Sequence, residues 1–171
     1  MACFTRKANV MTNNLKPELR QAFGRFATGI AVITTLDTQG APYGLTINSF
    51  VSVSMDPPLI SWNVIRGSTA HQIISQQGRF VVNILAHDQK QVAQQMTGPI
   101  ENRFDGMACS VSDDGLPLID GALAAFECDT HAMIEAGDHD IILGRVSRFT
   151  HHEGPPLVYW KGRYASATPD A

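Results

Sequence analysis

An alternation of apolar and polar residues over Ala124–Ile134 is the feature of this sequence that most constrains its fold. The even positions of this stretch are Ala, Phe, Cys, Thr, Ala and Ile, and most of the odd positions are charged or polar. A period of two over this length predicts a long β-strand that is buried on one face. Gly137 and Asp138 follow as a turn, and Asp140–Phe149 has the pattern of a returning strand. The sequence therefore predicts a hairpin of two long antiparallel strands.

Shorter strands are predicted in much of the remaining chain, where β-branched or alternating runs are bounded by Gly, Pro or Asp. These predicted strands are Ile30–Thr35, Ala41–Asn48, Phe50–Ser54, Leu59–Val64, Arg79–Leu85 and Leu157–Trp160. Helices are predicted over Pro17–Thr28, Thr69–Gln77 and Asp88–Met96, each followed by a glycine that can end it. Residues 98–121 are predicted to be irregular. Many strands without a regular βαβ alternation indicate a mostly β (α+β) fold, with an antiparallel sheet closed as a barrel and a few short helices.

The 171 residues fit one domain, which we place at residues 15–166. Residues 1–14 are predicted to be a disordered extension and residues 167–171 a short tail, and either Met1 or Met11 could be the native start. The polar N-terminus has no apolar segment of the kind found in a secretory signal. Three cysteines, odd in number and scattered, are typical of free thiols in a reducing cytoplasm.

Composition and motifs exclude several classes of function. The net charge is −3, without the basic excess of a nucleic-acid-binding protein. The longest apolar runs are far shorter than the ~18 residues of a membrane span. The sequence lacks GxSxG, HExxH, Walker A and GxGxxG motifs, and its six histidines are not spaced as metal ligands. What remains is a set of polar groups that could hold an anionic, planar ligand.

The first of these groups is Tyr43–Phe50, which includes the end of a predicted strand. Thr46, Asn48 and Ser49 offer hydroxyl, amide and backbone groups beside apolar side chains. Such a mixture suits a heteroaromatic ring, which takes hydrogen bonds at its rim and apolar contacts on its face. The same residues are also common in ordinary strands and turns, and both interpretations stay open at this point.

Two further groups lie at an expected helix start and at the expected hairpin tip. Arg66–Thr69 opens the helix over Thr69–Gln77, and the unpaired amides of a helix N-terminus bind phosphate. Ser68 could equally be a simple N-cap. His139, which follows Gly137 and Asp138 at the hairpin tip, could contact a mobile ligand or be an ordinary surface histidine.

Eight stretches, taken together and in order, resemble the flavin reductase family, the short NAD(P)H:flavin oxidoreductases. The resemblance as a whole covers residues 19–166, and the combination of NSF-x-SVS-x-x-PPL with GDH and Y-x-x-G-x-Y is specific. The resemblance implies an antiparallel Greek-key split β-barrel that binds FMN. The matching stretches are Phe26–Thr35, Thr46–Leu59, Gly78–Leu85, Arg103–Gly106, Leu116–Gly121, Ala124–Asp129, Gly137–Val146 and Pro156–Tyr164.

The resemblance also implies roles for individual residues. The flavin ring and ribityl chain would lie against Thr46, Ile47, Asn48 and Ser49. The flavin tail and phosphate would lie near Ser61, Asn63, Arg66, Ser68 and Thr69, although Ala70 stands where the family often has a hydroxyl. The nicotinamide side would hold His139 and Tyr164. Phe80 and Phe104 are expected in the core or the pocket wall.

By the same resemblance, the chain would be an NAD(P)H-dependent flavin reductase that transfers hydride from NADH or NADPH to FMN or FAD. Because the hydride passes between two cofactors, no catalytic side chain and no metal are expected. A cytoplasmic homodimer would exchange free flavin and supply a separate flavin-dependent monooxygenase. The alternatives are a non-catalytic flavin-binding or electron-carrier barrel, a barrel for haem or a deazaflavin, and a structural barrel with an empty pocket.

Overall fold

The computed structural model describes residues 16–167, so the predictions for residues 1–14 and for most of the tail lie outside the described residues. The helices are α1 (Lys16–Phe23), α2 (Thr69–Gln77) and α3 (Lys90–Gln95), and Ile100–Asn102 forms a 3₁₀ turn. The strands are β1 (Thr28–Gly29), β2 (Ala31–Leu36), β3 (Pro42–Ile47), β4 (Val51–Met55), β5 (Pro58–Ile65), β6 (Arg79–Ile84), β7 (Cys109–Val111), β8 (Pro117–Ile119), β9 (Ala124–Ala136), β10 (His139–His151), β11 (Leu157–Trp160) and β12 (Arg163–Ser166).

Seven strands form the main sheet, in the order β3-β2-β6-β9-β10-β5-β4, and every pairing in it is antiparallel. The edge strands β3 and β4 follow each other in the chain but are not hydrogen-bonded to each other, so the barrel is split between them. Smaller sheets join β1 with β11 and β12, and β7 with β8. The predicted fold class, a mostly β, antiparallel split barrel with short peripheral helices, is confirmed.

The interior of the main sheet is filled by a cluster centred on Trp62 and Phe80, both fully buried. Their rings meet edge to face, with centroids 5.5 Å apart. Gly144 lies directly against this cluster, because a Cβ there would stand 2.7 Å from Cζ of Phe80. A second cluster, which includes Leu85 and Met96, packs under α3. No helix within residues 16–167 is long and apolar enough to cross a membrane.

The predictions are confirmed for the elements whose first and last residues are marked clearly in the local sequence. Helix α2 has the predicted bounds: Ser68 caps it at one end, and Gly78, with a φ of +68°, ends it in the left-handed conformation that glycine favours. The long hairpin also forms as predicted, with Ala136 paired to His139 across Gly137 and Asp138. In both places the residues that determine where the element starts or ends are its immediate neighbours in the sequence.

The prediction of a helix from Pro17 to Thr28 is wrong at its C-terminal end. Helix α1 ends at Phe23, and Thr28–Gly29 instead pairs with β11. Gly24 and the β-branched Thr28 both weaken a helix, and the strand partner satisfies the backbone of β1. The expected apolar face is not buried by residues 16–167, since Phe23 is 69% and Phe26 77% exposed.

Three further predictions are corrected. Residues 98–121 are not wholly irregular, because β7 and β8 pair within them, and β12 follows the strand predicted as the last. The alternation in β9 changes phase at His131, which is an extra residue opposite β10. Beyond this bulge Met133 packs against the core, and Ile134, expected inside, is 47% exposed.

Candidate functional site

The three polar groups predicted from the sequence converge on one cavity of about 870 Å³. It lies between the end of β3, the start of α2 and the tip of the β9–β10 hairpin. The register explains this convergence: β10 pairs with β5, which places His139 opposite Ile65, and the Arg66 N–H donates to the Asp138 carbonyl at 3.1 Å. The predicted residues that line the cavity are Thr46, Ile47, Asn48, Ser49, Asn63, Ser68, Thr69 and His139.

The wall formed by the end of β3 offers fewer free hydroxyls than its sequence indicates. The Thr46 hydroxyl donates to the Ala93 carbonyl at 2.7 Å, and the Ser49 Oγ accepts the Asn63 N–H at 3.0 Å. Ile47 is buried and supplies apolar surface. Asn48 is exposed, which leaves its side-chain amide as the most accessible donor and acceptor on this wall.

The N-terminus of α2 presents backbone amides to the cavity. Ser68 acts as the N-cap: its Oγ accepts the His71 N–H at 3.1 Å and donates to the Ile65 carbonyl at 2.7 Å. The backbone amides of Thr69 and Ala70 lie in the first turn of the helix, where no helix carbonyl is available to accept their hydrogen bonds. Both residues line the cavity. This end of the helix is therefore suited to an anionic group, with the cap and the amides acting together.

Arg66 is engaged by two carboxylates instead of lining the cavity. Its guanidinium forms ion pairs with Glu135 and with Asp140, whose Oδ1 lies 3.2 Å from the arginine Nε. That contact is an ion pair rather than a hydrogen bond, because Oδ1 accepts no hydrogen bond. The other oxygen of Asp140, which is 8% exposed, lies 2.8 Å from Nε2 of His71. This network fastens the start of α2 to the start of β10.

The hairpin tip holds His139 in a defined orientation. Its Nδ1 lies 2.7 Å from the Asp138 carboxylate, and both residues line the cavity. The side chain of His139 is 41% exposed, so its ring remains accessible from solvent. The same hydrogen bond lowers the pKa of Asp138 below its ordinary value. His139 is therefore placed to contact a ligand that enters from the solvent side.

The structure does not bring Ser61 or Tyr164 to the cavity. Ser61 is two residues before Asn63 on β5 and is not among the lining residues. Tyr164 packs in the second cluster, edge to face with Tyr159 at 5.6 Å, and the Lys90 ammonium lies 5.8 Å from its ring centroid. Burial raises the pKa of the Tyr164 hydroxyl. Their roles thus stay predictions from the resemblance.

Sequence reasoning included Tyr43 in the first polar group without giving it a role, and it missed Arg103; both residues line the cavity. Arg103 donates to the Gly44 carbonyl at 2.6 Å and to the Gly98 carbonyl at 3.0 Å, and its guanidinium lies 5.5 Å from the Tyr43 ring centroid. The matching stretch Arg103–Gly106 was a signal that could have identified this arginine. Phe104 packs against the second cluster, and Phe80 is in the core as expected.

The residues present fit a flavin nucleotide. The cavity volume falls within the range of roughly 300–1,000 Å³ of small-molecule sites. Leu45, Ile47 and Ile141 give the apolar contact that a planar ring needs, and Asn48 gives a polar group at its rim. The amides at the start of α2 suit a phosphate group.

Comparison with known proteins supports the same interpretation. Residues 23–168 match the family described as flavin reductase like domain. The FMN reductase (NADH) SmoA of Agrobacterium fabrum (strain C58 / ATCC 33970) is 40% identical over 145 residues, which are 85% of this chain and 82% of that protein. The reductase component of the flavin-dependent trigonelline monooxygenase of Acinetobacter baylyi (strain ATCC 33305 / BD413 / ADP1) is 41% identical over 147 residues, or 86% of this chain and 47% of that protein.

A solved structure agrees over nearly the whole chain. The NADH:FAD oxidoreductase SgcE6 of Streptomyces globisporus C-1027, in complex with NAD and FAD fragments, superposes with a TM-score of 0.88. It is 34% identical, and the match covers 96% of this chain and 99% of that one. The chain spans about half the length of two of the curated relatives that it matches.

The network at Asp140 generates a stability prediction. Asp140→Asn removes the carboxylate that faces both Arg66 and His71, so we expect the free energy of unfolding to fall by roughly 1–3 kcal/mol. The control is Glu135→Gln, which removes the 70% exposed partner of the same arginine and should cost about 0–1 kcal/mol. Urea unfolding at pH 7 measures both. Equal losses for the two variants would contradict a fastening role for Asp140.

Proposed function

Because this chain belongs to the flavin reductase family, we propose that it transfers hydride from NADH or NADPH to FMN or FAD. The observation that carries the proposal is the single cavity at which the end of β3, the start of α2 and the hairpin tip meet. These are the three segments to which the family resemblance gives flavin and nicotinamide contacts. The activity, the substrates and the partner of the whole protein are proposals on this basis.

The flavin would supply the redox chemistry when bound, as the acceptor of the hydride. The chain's own residues bind and orient it. The end of β3, with Thr46, Ile47, Asn48 and Ser49, would lie along the ring, where backbone and amide donors stabilise developing negative charge. Ser61 and Asn63 on β5 would lie near the flavin tail.

The phosphate would be held at the start of α2, by the amides that follow Ser68. Thr69 would contribute its amide and hydroxyl, and Arg66, which does not line the cavity, would add positive charge only from beside the start of α2. Two features weaken this phosphate site: Ala70 stands in place of a hydroxyl, and Arg66 is already paired with two carboxylates. A neutral hydrogen bond is worth roughly 0.5–1.5 kcal/mol, or up to about tenfold in affinity. We therefore propose that flavin exchanges as a substrate.

His139 would orient the nicotinamide nucleotide at the solvent side of the cavity. The 2.7 Å contact with Asp138 holds the His139 imidazole in one orientation. A ligand therefore has less side-chain motion to restrict when it binds. Tyr164 remains a candidate on this side from the resemblance, although it packs against Tyr159 in this chain. Neither residue is proposed to transfer a proton in the hydride step.

A separate flavin-dependent monooxygenase is the proposed consumer of the reduced flavin. The Acinetobacter baylyi relative is named as the reductase component of such an enzyme. A reductase whose flavin dissociates after reduction can supply an oxygenase without forming a permanent complex. Weak phosphate binding in this chain is consistent with such transfer in a cytoplasmic setting.

The exposed apolar face around β4 is the surface on which we propose that a second copy packs. Val51, Val53 and Met55 are 56%, 50% and 91% exposed on an edge strand. Phe149 on β10 is 64% exposed and stacks on Phe126, with ring centroids 6.4 Å apart. An exposed apolar edge strand favours association with another chain. A homodimer with twofold symmetry, the commonest oligomer, would cover this strand in both copies.

The second candidate is a flavin-binding or electron-carrier barrel without catalytic turnover. The same cavity would serve it, since the described residues that line the cavity hold a ligand without needing an acid–base pair. The two functions differ in turnover: a reductase oxidises NADH continuously with free flavin, whereas a binding protein does not. The assay described next separates them.

After gel filtration, the protein should be mostly colourless and oxidise little NADH, because the phosphate site retains flavin weakly. Added FMN or FAD should restore activity saturably. Pairing NADH and NADPH with each flavin, and following the nicotinamide absorbance band, identifies the preferred substrates. Lack of turnover in every pair would overturn the reductase proposal. Full activity with stoichiometric bound flavin, unaffected by added flavin, would overturn the exchange proposal.

His139→Ala should raise the KM for the nicotinamide nucleotide by roughly 3- to 10-fold, the value of one hydrogen bond. Flavin affinity, measured by fluorescence titration, should stay nearly unchanged. His131→Ala is the matched control, since His131 is an exposed histidine on the same hairpin that does not line the cavity. A shift in flavin affinity with an unaltered KM would place His139 on the flavin side instead.

Light scattering at micromolar concentration should give twice the 18.6 kDa chain mass. Val53→Lys places a charge in the proposed interface and should shift the protein toward the monomer. Val111→Lys is the control, because Val111 is an even more exposed valine (68%, against 50% for Val53) on β7, outside this face. A monomeric wild-type protein, or dissociation by both variants alike, would contradict the proposed interface.

A further inference from the structure

A second cavity, of about 380 Å³, lies between the end of α1 and the turn that joins β11 to β12. It is lined by Arg20, Gln21, Gly24, Arg25, Lys161 and Gly162. Three of these six residues are cationic and none is acidic. We call this concavity the basic cavity. It is separate from the cavity of about 870 Å³ at the candidate site, which we call the main cavity and which Phe23 of the same helix lines.

The three cations of the basic cavity lack carboxylate partners among residues 16–167. Other arginines of the chain do have such partners: Arg79 pairs with Asp114, and Arg148 pairs with Asp114 and Glu127. The chain as a whole carries a net charge of −3. Three like charges at one concavity repel each other, and an anion that enters between them relieves this repulsion.

Contacts between the two elements hold the backbone of the basic cavity and the Lys161 ammonium in place. The Lys161 N–H donates to the Gly24 carbonyl at 2.9 Å, and the Trp160 indole N–H donates to the Arg25 carbonyl at 3.2 Å. The Lys161 ammonium lies 4.0 Å from the Trp160 ring centroid, so the indole orients it as a cation–π partner. The backbone of the basic cavity and the position of the Lys161 ammonium are therefore preformed.

Lys161 also adopts a backbone conformation that lysine disfavours. Its φ is +51°, and Gly162 follows with +76°, as in a two-residue hairpin turn with both residues left-handed. Asn followed by Gly is the usual sequence for such a turn, because Asn tolerates this region. Among residues 16–167, Lys161 is the one non-glycine residue with positive φ. A cation is thus kept at the basic cavity despite strain, as happens at functional sites.

We propose that the basic cavity binds a phosphate group of a small ligand. Arginine forks and a lysine ammonium match phosphate oxygens in geometry and charge. The concave shape favours a small ligand over the surface of an acidic protein, which would fit a flat patch. The phosphate has two possible sources: a free phosphorylated molecule, or the adenylate half of a dinucleotide whose other half lies in the main cavity. The second source rests on the proposed function.

The test uses Lys161→Asn, which removes a cation while giving the turn the residue it favours. Calorimetric titration of the wild-type protein with inorganic pyrophosphate and with ADP should show saturable binding of at least one probe. Lys161→Asn should weaken that binding tenfold or more, without lowering the melting temperature. Arg145→Gln removes an exposed positive charge on β10, away from the basic cavity, and should leave the affinity unchanged.

Two further measurements separate the sources of the phosphate. A fall in FAD affinity in Lys161→Asn, with riboflavin affinity unchanged, would assign the phosphate to a dinucleotide. Weaker pyrophosphate binding with unchanged FAD affinity would assign it to a free ligand. Absence of saturable binding to the wild-type protein, or equal affinity in Lys161→Asn, would overturn the proposal. Failure of the reductase function is seen separately, as absence of turnover by the wild-type protein in every pairing of NADH or NADPH with FMN or FAD.

Discussion

The pairing of β10 with both β9 and β5 is the constraint on which the main cavity depends. This double ladder sets His139 beside Ile65, and so brings the hairpin tip to the loop before α2. The ladder passes over the core at Gly144, where a Cβ would come within 2.7 Å of Phe80 and 3.1 Å of Ile60. Glycine at this one position lets the strand lie close to the core. Its register against β5 is unbroken from Arg145 to His139, whereas its register against β9 shifts at Gly144.

Electrostatics at the start of β10 determine how strongly the cavity can hold an anion. Asp140 is nearly buried, and the desolvation of its carboxylate is offset by Arg66 and His71. The ion pair with Asp140 neutralises Arg66, which is the cation nearest the start of α2. Binding of a phosphate therefore depends on the helix amides more than on a full positive charge. The Asp140–Arg66 ion pair, which fixes the geometry of the cavity, therefore also limits the affinity of the cavity for an anion. A flavin that exchanges as a substrate would require such limited affinity.

The parts of the structure that the sequence predicts are those whose determinants are local. Ser68 and Gly78 delimit α2 by capping, and the Gly137–Asp138 turn defines the hairpin. The end of α1 and the phase change at His131 depend on partners distant in the chain, which no local pattern reveals. A long-range register of this kind appears only in the folded sheet.

The candidate site, like the fold, could be predicted from the sequence only where its determinants are local. Its three segments were predicted because each lies at the end of an element, where backbone groups are free. The engagement of Arg66 was not predictable, because its partners Glu135 and Asp140 are about seventy residues away and are set by the register of β10 against β5. Arg103 was missed for a related reason: its contacts with Gly44 and Tyr43 join a loop to a distant strand.

Helix α1 connects the two cavities physically. It has eight residues and no buried side chain, and a helix this short is marginal on its own. The contacts of Gly24 and Arg25 with the β11–β12 hairpin hold the segment that follows it. An anion bound between Arg20 and Lys161 would strengthen that attachment by mass action. Because Phe23 on the same helix lines the main cavity, occupancy of the basic cavity would then stabilise one wall of the main cavity.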